Sequence, residues 1–335
     1  MSRSGILVVS MPAIGDFVRC LTAVRIIAAR HPGVPIDILG SPPATAVGPF
    51  SPDIRHVYEF ARRSGKLDLG RRLAVAREVG KARHATAYVL ATNFKAALVP
   101  FLAGIPERIG WFGEFRYPVI NRPRFGLDRN DPPLVLEQAT MLLRQRDVDL
   151  ASLPPPRLSV PEAERAACRE REGVGGGERV LALVPGRVGD RRSLALPKLI
   201  EIVRHVRSRG LHVWLIGAGD DRPAVEAIGA AVEGVRDMTH SPLSESILRV
   251  ASADLYAGTD TGLTHVAAAF GGPVVAIYEE RHRHHAGPLN RNVRFLVDDT
   301  TDWRTALAPG SFTAAVTAEA VIAQIDQILL ELDQR

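Results

Sequence analysis

Five short segments combine residue types whose chemistry is worth reading. Met11-Pro12-Ala13-Ile14-Gly15-Asp16 follows the β-branched run Ile6–Ser10 and precedes an apolar-periodic stretch. Gly15 lets backbone approach a ligand, and N–H groups at a helix start attract anions. Asp16 has two readings, a helix N-cap or a general base taking a proton from a hydroxyl. Gly258-Thr259-Asp260-Thr261-Gly262-Leu263-Thr264-His265 has the same form. Small hydroxyl residues and glycine at a helix start make a cradle for a diphosphate. Asp260 either accepts from sugar hydroxyls or caps the helix, and His265 lies near the first turn.

The third segment, Pro185–Arg192 (PGRVGDRR), joins Gly186 and Gly189 to Arg187, Arg191 and Arg192. It reads as a phosphate loop or as a solvated basic loop. Arginine suits phosphate because its planar fork binds bidentately. The fourth is Asp220-Asp221, after the apolar run His212–Ile216. An acid in that place holds ribose hydroxyls in nucleotide-binding halves; the alternative is a helix cap. The fifth, Glu279–His285 (EERHRHH), carries His282, His284 and His285. It reads as a phosphate or acceptor contact or as a solvated loop, since His-x-His-His in a loop has no fixed metal geometry.

The elements that position these segments alternate. Ile6–Ser10, Ile36–Leu39 and Tyr88–Leu90 read as strands, with helices over the stretch ending at His31-Pro32-Gly33, over Arg71–Ala82, and over Asn93–Ala103 with Asn93 at the cap. After Leu153–Arg157 (LPPPR) and a short helix from Pro161 to Arg171, the pattern repeats. Strands fall at Val180–Val184, His212–Ile216, Leu255–Ala257 and Val274–Tyr278, and helices at Pro197–Arg207, Arg222–Val232, Leu243–Ala251 and Leu263–Phe270. A final apolar stripe from Val321 to Leu332 has helical spacing and reads as core packing. Repeated βα order implies an α/β protein with two parallel sheets, dividing near residue 160 into 1–160 and 161–335. The last helix is one that could pack back on the first half. Ligands are expected at the carboxyl ends of the strands, facing a central cleft.

Composition narrows the partners. The 335 residues are 46% hydrophobic and 24% charged, as in a globular protein with real cores. No apolar run reaches about 18 residues and no signal peptide is evident, so a cytoplasmic location is expected. Cys20 and Cys168 show no metal spacing and read as free thiols. The net charge is +5, and the only lysines are Lys66, Lys81, Lys95 and Lys198. Such a surface suits a phosphorylated substrate or the inner face of an anionic membrane. With no long basic run or nucleic-acid module, a nucleic-acid partner is not expected. There is no nucleophile elbow, no Walker A and no GxGxxG, which argues against a dehydrogenase.

Three segments carry a resemblance. Ile6–Leu39 (ILVVSMPAIGDFVRCLTAVRIIAARHPGVPIDIL), Ala91–Tyr117 (ATNFKAALVPFLAGIPERIGWFGEFRY) and Ala253–Tyr278 (ADLYAGTDTGLTHVAAAFGGPVVAIY) resemble glycosyltransferase family 9, the ADP-heptose-dependent heptosyltransferases of lipopolysaccharide core assembly. The second stretch looks like the heptosyltransferase II branch, and the resemblance runs through nearly the whole chain in order. It implies a GT-B fold of two Rossmann-like domains, acceptor bound by the first and donor by the second. It also implies inverting transfer of heptose from ADP-L-glycero-β-D-manno-heptose to an inner-core sugar hydroxyl. Asp16 then becomes the candidate base. Asp260, Thr261, Gly262 and His265 face the donor, and Asp220 or Asp221 holds the ribose. Asn93, Lys95, Arg108 and Arg116 meet an anionic acceptor. No cofactor is required, a divalent cation such as Mg²⁺ being at most stimulatory.

Three departures touch the donor side. Leu194-Ala195-Leu196-Pro197 lacks the family's lysine and keeps only its proline; Leu263 stands where the family has proline; and Glu279–His285 replaces a glycine-containing loop. Two other readings stand beside heptose transfer. One is a related transferase with a small soluble acceptor or altered donor, and the other is a non-catalytic sugar-nucleotide sensor.

Overall fold

The computed structural model describes residues 4–61, 67–126, 133–280, 290–300, 308 and 310–334. The chain divides into two compact units, Met1–Leu158 and Ser159–Arg335.

The first unit holds strands β1 (Ile6–Val9), β2 (Ile36–Gly40), β3 (His56–Glu59), β4 (Thr86–Val89), β5 (Glu107–Trp111) and β6 (Arg122–Arg124). They form one sheet in the order β3-β2-β1-β4-β5-β6, every pairing parallel. Helices α1 (Ile14–Arg30), α2 (Pro42–Val47), α3 (Leu69–Lys81), α4 (Phe94–Leu102) and α5 (Leu134–Leu143) complete it. Both faces of the inner strands are covered, which is why β1 and β2 read as unbroken apolar or buried runs rather than alternating ones.

In the second unit, after helix α6 (Glu162–Arg171), come β7 (Val180–Val184), β8 (His212–Leu215), β9 (Val235–Asp237), β10 (Leu255–Thr259), β11 (Val274–Glu279) and β12 (Val293–Asp298). Their order is β12-β11-β10-β7-β8-β9, again all parallel. The helices are α7 (Leu196–Ser208), α8 (Arg222–Ala231), α9 (Leu243–Ser252), α10 (Gly262–Phe270) and α11 (Ala318–Asp333). Val321, Ile325, Ile328 and Leu329 of α11 are buried with Ile202, Val203 and Val206 of α7. Asp326 reaches His205 at 3.0 Å and Glu331 reaches Arg294 at 2.6 Å, so the final helix is fastened to its own unit.

Both sheets reverse their strand order at one place, between β1 and β4 in the first unit and between β7 and β10 in the second. A crevice opens at the carboxyl ends of strands at such a point, because the following loops run to opposite sides. Every edge strand (β3, β6, β9 and β12), together with β5, is unmarked in the sequence pattern above. Edges are half-exposed and need no continuous apolar run; β6 reads RPR and β9 reads VRD.

Both cysteines are free and buried, and burial pushes the Cys20 thiol up to about 11.

Candidate active site

In the first unit, the loop after β1 enters α1 through Ala13, whose side chain cannot cap, while the Ser41 hydroxyl donates to the Pro12 carbonyl at 2.6 Å. Asp16 is the third residue of the helix, which removes the N-cap reading. Its Oδ1 accepts from Arg19 Nη2 at 2.8 Å, and its side chain is 30% exposed. The second carboxylate oxygen has no protein partner among the described residues. A tethered, part-exposed carboxylate at the carboxyl end of a switch-point strand is able to take a proton from a bound hydroxyl.

The four acceptor candidates separate on geometry. Asn93 caps α4, its Oδ1 accepting from Ala96 N at 3.0 Å. Arg116 is fully buried; its guanidinium donates to the Ala91 carbonyl at 2.8 Å and to the Trp111 carbonyl. Arg108 donates to the carbonyls of Val119 and Ile105 and lies 5.4 Å from the Phe101 ring centroid. Burial lowers the pKa of both arginines. They are internal braces that close carbonyls left open by loops. The Lys95 ammonium, on half-buried ground in the first turn of α4, has no partner among the described residues.

One feature of this unit carries no sequence signal. Arg72, buried on α3, stacks over Phe60 at 4.6 Å and donates to the carbonyls of Leu67 and Lys95. With Ser10, Gly40 and Ser41 it lines a small cavity of about 40 Å³ beyond β1 and β2. In the sequence it is one more charge on an amphipathic helix.

In the second unit, the loops after β7 and β10 lie side by side at the switch point. Gly186 has φ +78°, and a β-carbon there would sit 2.5 Å from Ser193 Oγ and 3.5 Å from Thr259 Oγ1. Only glycine fits this conformation and approach. Gly310 N donates to the Asp190 carbonyl and Phe312 N to the Arg191 carbonyl, stapling the loop to a later segment. Its three arginines take different postures. Arg187 is exposed and 3.4 Å from the exposed Asp220, a screened pair. Arg191 lies over the Phe312 ring at 4.8 Å. Arg192 pairs with Asp190 at 3.3 Å, and its pKa is raised by that hydrogen bond, with Asp260 contributing. Burial works against the Asp190 charge, but the Arg192 side-chain and backbone donors hold its pKa down.

On the β10 side, Thr259 is the last strand residue and buried, and Asp260 and Thr261 form the turn. The N-cap of α10 is Thr261, not Asp260, and no side chain caps the helix. The N–H groups of Gly262 and Leu263 therefore have no side-chain acceptor among the described residues, as an anion cradle requires. The Thr264 hydroxyl donates to the Thr259 carbonyl at 2.6 Å and lies 3.0 Å from Tyr256 Oη. Burial pushes the Tyr256 phenol up to about 12. His265 is buried beneath the turn, 3.9 Å from Asp260 and 3.5 Å from Tyr278 Oη.

Asp221 accepts from Ala218 N at 2.7 Å and closes the turn before α8; burial raises its pKa. Asp220 is the exposed acid of the two, with the Arg187 loop beside it. Leu194, Leu196, Leu199 and Ala224 join Gly186 and Arg187 around a cavity of about 220 Å³ next to this loop. Leu194, Leu196 and Leu199 thus form an apolar wall here. Glu279 is buried at the end of β11, while His282, His284 and His285 lie outside the described residues.

The sequence over residues 72–305, more than half the chain, matches glycosyltransferase family 9 (heptosyltransferase). The chain belongs to this family. A family 9 member of this kind is a glycosyltransferase enzyme, and its two parallel sheets are the GT-B arrangement. It is 28% identical over 304 residues to lipopolysaccharide heptosyltransferase 2 of Escherichia coli K12, covering 87% of each chain. It is 24% identical to lipooligosaccharide heptosyltransferase 2 of Haemophilus influenzae, covering 97% of this chain and 99% of the other. The solved E. coli ADP-heptose lps heptosyltransferase II superposes with a TM-score of 0.85 at 25% identity, covering 98% of this chain and 99% of that one. No described helix of this glycosyltransferase is long and apolar enough to cross a membrane.

Proposed function

We propose that this glycosyltransferase moves heptose from ADP-L-glycero-β-D-manno-heptose to a sugar hydroxyl of the lipopolysaccharide inner core, inverting the anomeric carbon. The observation that carries the reading is the second unit's switch point, where an arginine-bearing loop and an uncapped helix start lie together (Gly186 against Thr259). The names of the relatives, lipopolysaccharide and ADP-heptose heptosyltransferases, support it. Asp16 takes the proton from the acceptor hydroxyl as that oxygen bonds to the anomeric carbon. The bond from that carbon to the diphosphate breaks, and its electron pair leaves on ADP. Arg187, Arg191, Arg192 and the N–H groups of Gly262 and Leu263 stabilise the charge that develops there. Asp260 and Thr261 hold the heptose, Asp220 the ribose, and Lys95 an anionic acceptor group. No step is routed through a metal; Mg²⁺ acts at most on the diphosphate.

A related reading, with a different donor or a small soluble acceptor, is favoured by one observation: the apolar wall of Leu194, Leu196 and Leu199. Calorimetric titration with ADP-heptose, ADP-glucose and GDP-, UDP- and TDP-sugars separates the two. Selective binding of ADP-heptose is expected. Preference for another nucleotide sugar, or none, overturns the donor assignment and leaves the family and fold in place.

A further inference from the structure

Hydroxyl groups beneath the donor turn govern what its N-cap residue does. Thr261 holds the N-cap of α10 with an extended backbone, φ −132° and ψ +164°. From there a threonine oxygen ordinarily accepts from the second or third N–H of the helix. Thr261 makes no such cap bond. Its Oγ1 lies 3.3 Å from Thr264 Oγ1, and Thr264 N donates to the Thr261 carbonyl at 3.2 Å. The N–H groups of Gly262 and Leu263 keep no side-chain acceptor among the described residues.

The direction of these bonds follows from counting hydrogens. A hydroxyl has one hydrogen and two lone pairs. Thr264 gives its hydrogen to the Thr259 carbonyl at 2.6 Å. Its oxygen is then left to accept, from Tyr256 Oη at 3.0 Å and from Thr261 Oγ1 at 3.3 Å. Tyr256 and Thr264 are both buried. Burial keeps the phenol protonated, its pKa pushed up to about 12, so it stays a donor at any working pH. The phenol also has a prepared place: Gly258 has no β-carbon, and one built there would stand 2.6 Å from Tyr256 Oη. Three bonds fix the Thr264 hydroxyl and make it a stationary acceptor for Thr261.

We propose that Thr264, anchored by Tyr256, is a positioning residue that draws the Thr261 hydroxyl away from the cap and so keeps the N–H groups of Gly262 and Leu263 open to the donor diphosphate. A capping oxygen and an anion compete for the same N–H groups. A cap already in place must be displaced, and the bond it loses is subtracted from the affinity of the anion. The loop after β7 points to the same ligand independently. It carries Arg187, Arg191 and Arg192 and approaches this turn closely enough that a β-carbon on Gly186 would stand 3.5 Å from Thr259 Oγ1. The role rests on the reading above in taking the ligand to be the diphosphate of a nucleotide sugar; it adds the residues that hold the site ready for it.

The test is calorimetric titration of the full chain with pyrophosphate, ADP and adenosine. Thr264→Val should weaken pyrophosphate and ADP about tenfold, the size of one hydrogen bond to a charged group, and leave adenosine unchanged. Thr264→Ser, which keeps the hydroxyl, should bind as the wild type does. Adding Thr261→Ala to Thr264→Val removes the hydroxyl that would otherwise cap, and should recover most of the loss. A turn that had merely loosened would show no recovery. Unchanged pyrophosphate binding in Thr264→Val overturns the proposal, as does a double variant no better than the single one. Amide exchange in the wild type decides the matter even if Thr264→Val does not fold. The Leu263 N–H should exchange freely without ligand and become protected by pyrophosphate; protection before any ligand is added overturns the proposal. None of the three probes contains heptose. A chain that binds them as expected and transfers no heptose keeps this role and loses the transfer reading, whereas a wild type that binds neither pyrophosphate nor ADP removes the donor assignment and this role together.

Discussion

Asp16 and Arg19, one turn apart on α1, share a 2.8 Å hydrogen bond that fixes the carboxylate in the first turn instead of at the cap. The pair makes a distinction that the helix alone would not. If Asp16 is the base, Asp16→Ala should lower kcat by about 10²-fold or more while leaving donor affinity nearly unchanged. Arg19→Ala, which frees the carboxylate without removing it, should cost much less, on the order of tenfold. Single-turnover rates alongside donor titration give the answer. Full activity in Asp16→Ala would return the residue to a purely structural role.

The exposed Arg187–Asp220 pair offers a second test. If Arg187 contacts the diphosphate, Arg187→Ala should weaken ADP binding about tenfold and reduce its salt dependence. Asp220→Asn should leave pyrophosphate binding unchanged and weaken ADP binding if the acid holds the ribose. A parallel change for both ligands would mean that Asp220 acts only by restraining Arg187.

Packing under the donor turn is tight. A β-carbon on Gly258 would stand 2.6 Å from Tyr256 Oη, so Gly258→Ala should lower stability by about 1–3 kcal/mol. The displaced phenol would disturb its contact with Thr264, which holds the Thr259 carbonyl, so donor KM should rise as well. Thermal melts and donor titration read the two effects separately.

Acid stability follows from Asp37 on β2. Its carboxylate is buried, which by itself raises the pKa. The His84 hydrogen bond at 2.7 Å and the Arg55 fork at 2.9 and 2.5 Å outweigh burial and hold it below its model-peptide value of 3.8. A depressed folded-state pKa means the pair's stabilisation is present above the unfolded value and lost as pH falls through the folded one. Unfolding free energy should therefore drop below about pH 4 in the wild type. Asp37→Asn should flatten that limb and cost about 1–3 kcal/mol near neutrality, because Arg55 and His84 lose a buried, charged hydrogen-bond acceptor. Denaturant melts against pH check both.

Chelation is the last test. Every step assigned above belongs to side chains or backbone N–H groups, so excess EDTA should leave transfer activity within about threefold. Complete loss, restored by Mg²⁺, would require a metal on the diphosphate and a revised account of Arg187, Arg191 and Arg192.

The sequence by itself determined the repeated strand–helix alternation, the two-unit organisation of parallel sheets, the turns after β1, β7 and β10, and the family. These are local signals: apolar runs for strands buried on both faces, glycine where backbone must bend or be approached, proline and glycine at helix ends. The tertiary structure alone decided which side chains the turns offer. The resemblance implies acceptor contacts for Arg108 and Arg116, and the fold shows their guanidiniums donating to the Val119 and Ala91 carbonyls. Asp16 and Asp260 read equally well as caps, yet Ala13 and Thr261 hold those positions. The edge strands and the cavity at Arg72 gave no signal. A long charged side chain has the same local signature whether it faces solvent or closes a buried carbonyl. The carbonyl that decides its direction is left open by the course of a loop, and only the packed fold sets that course.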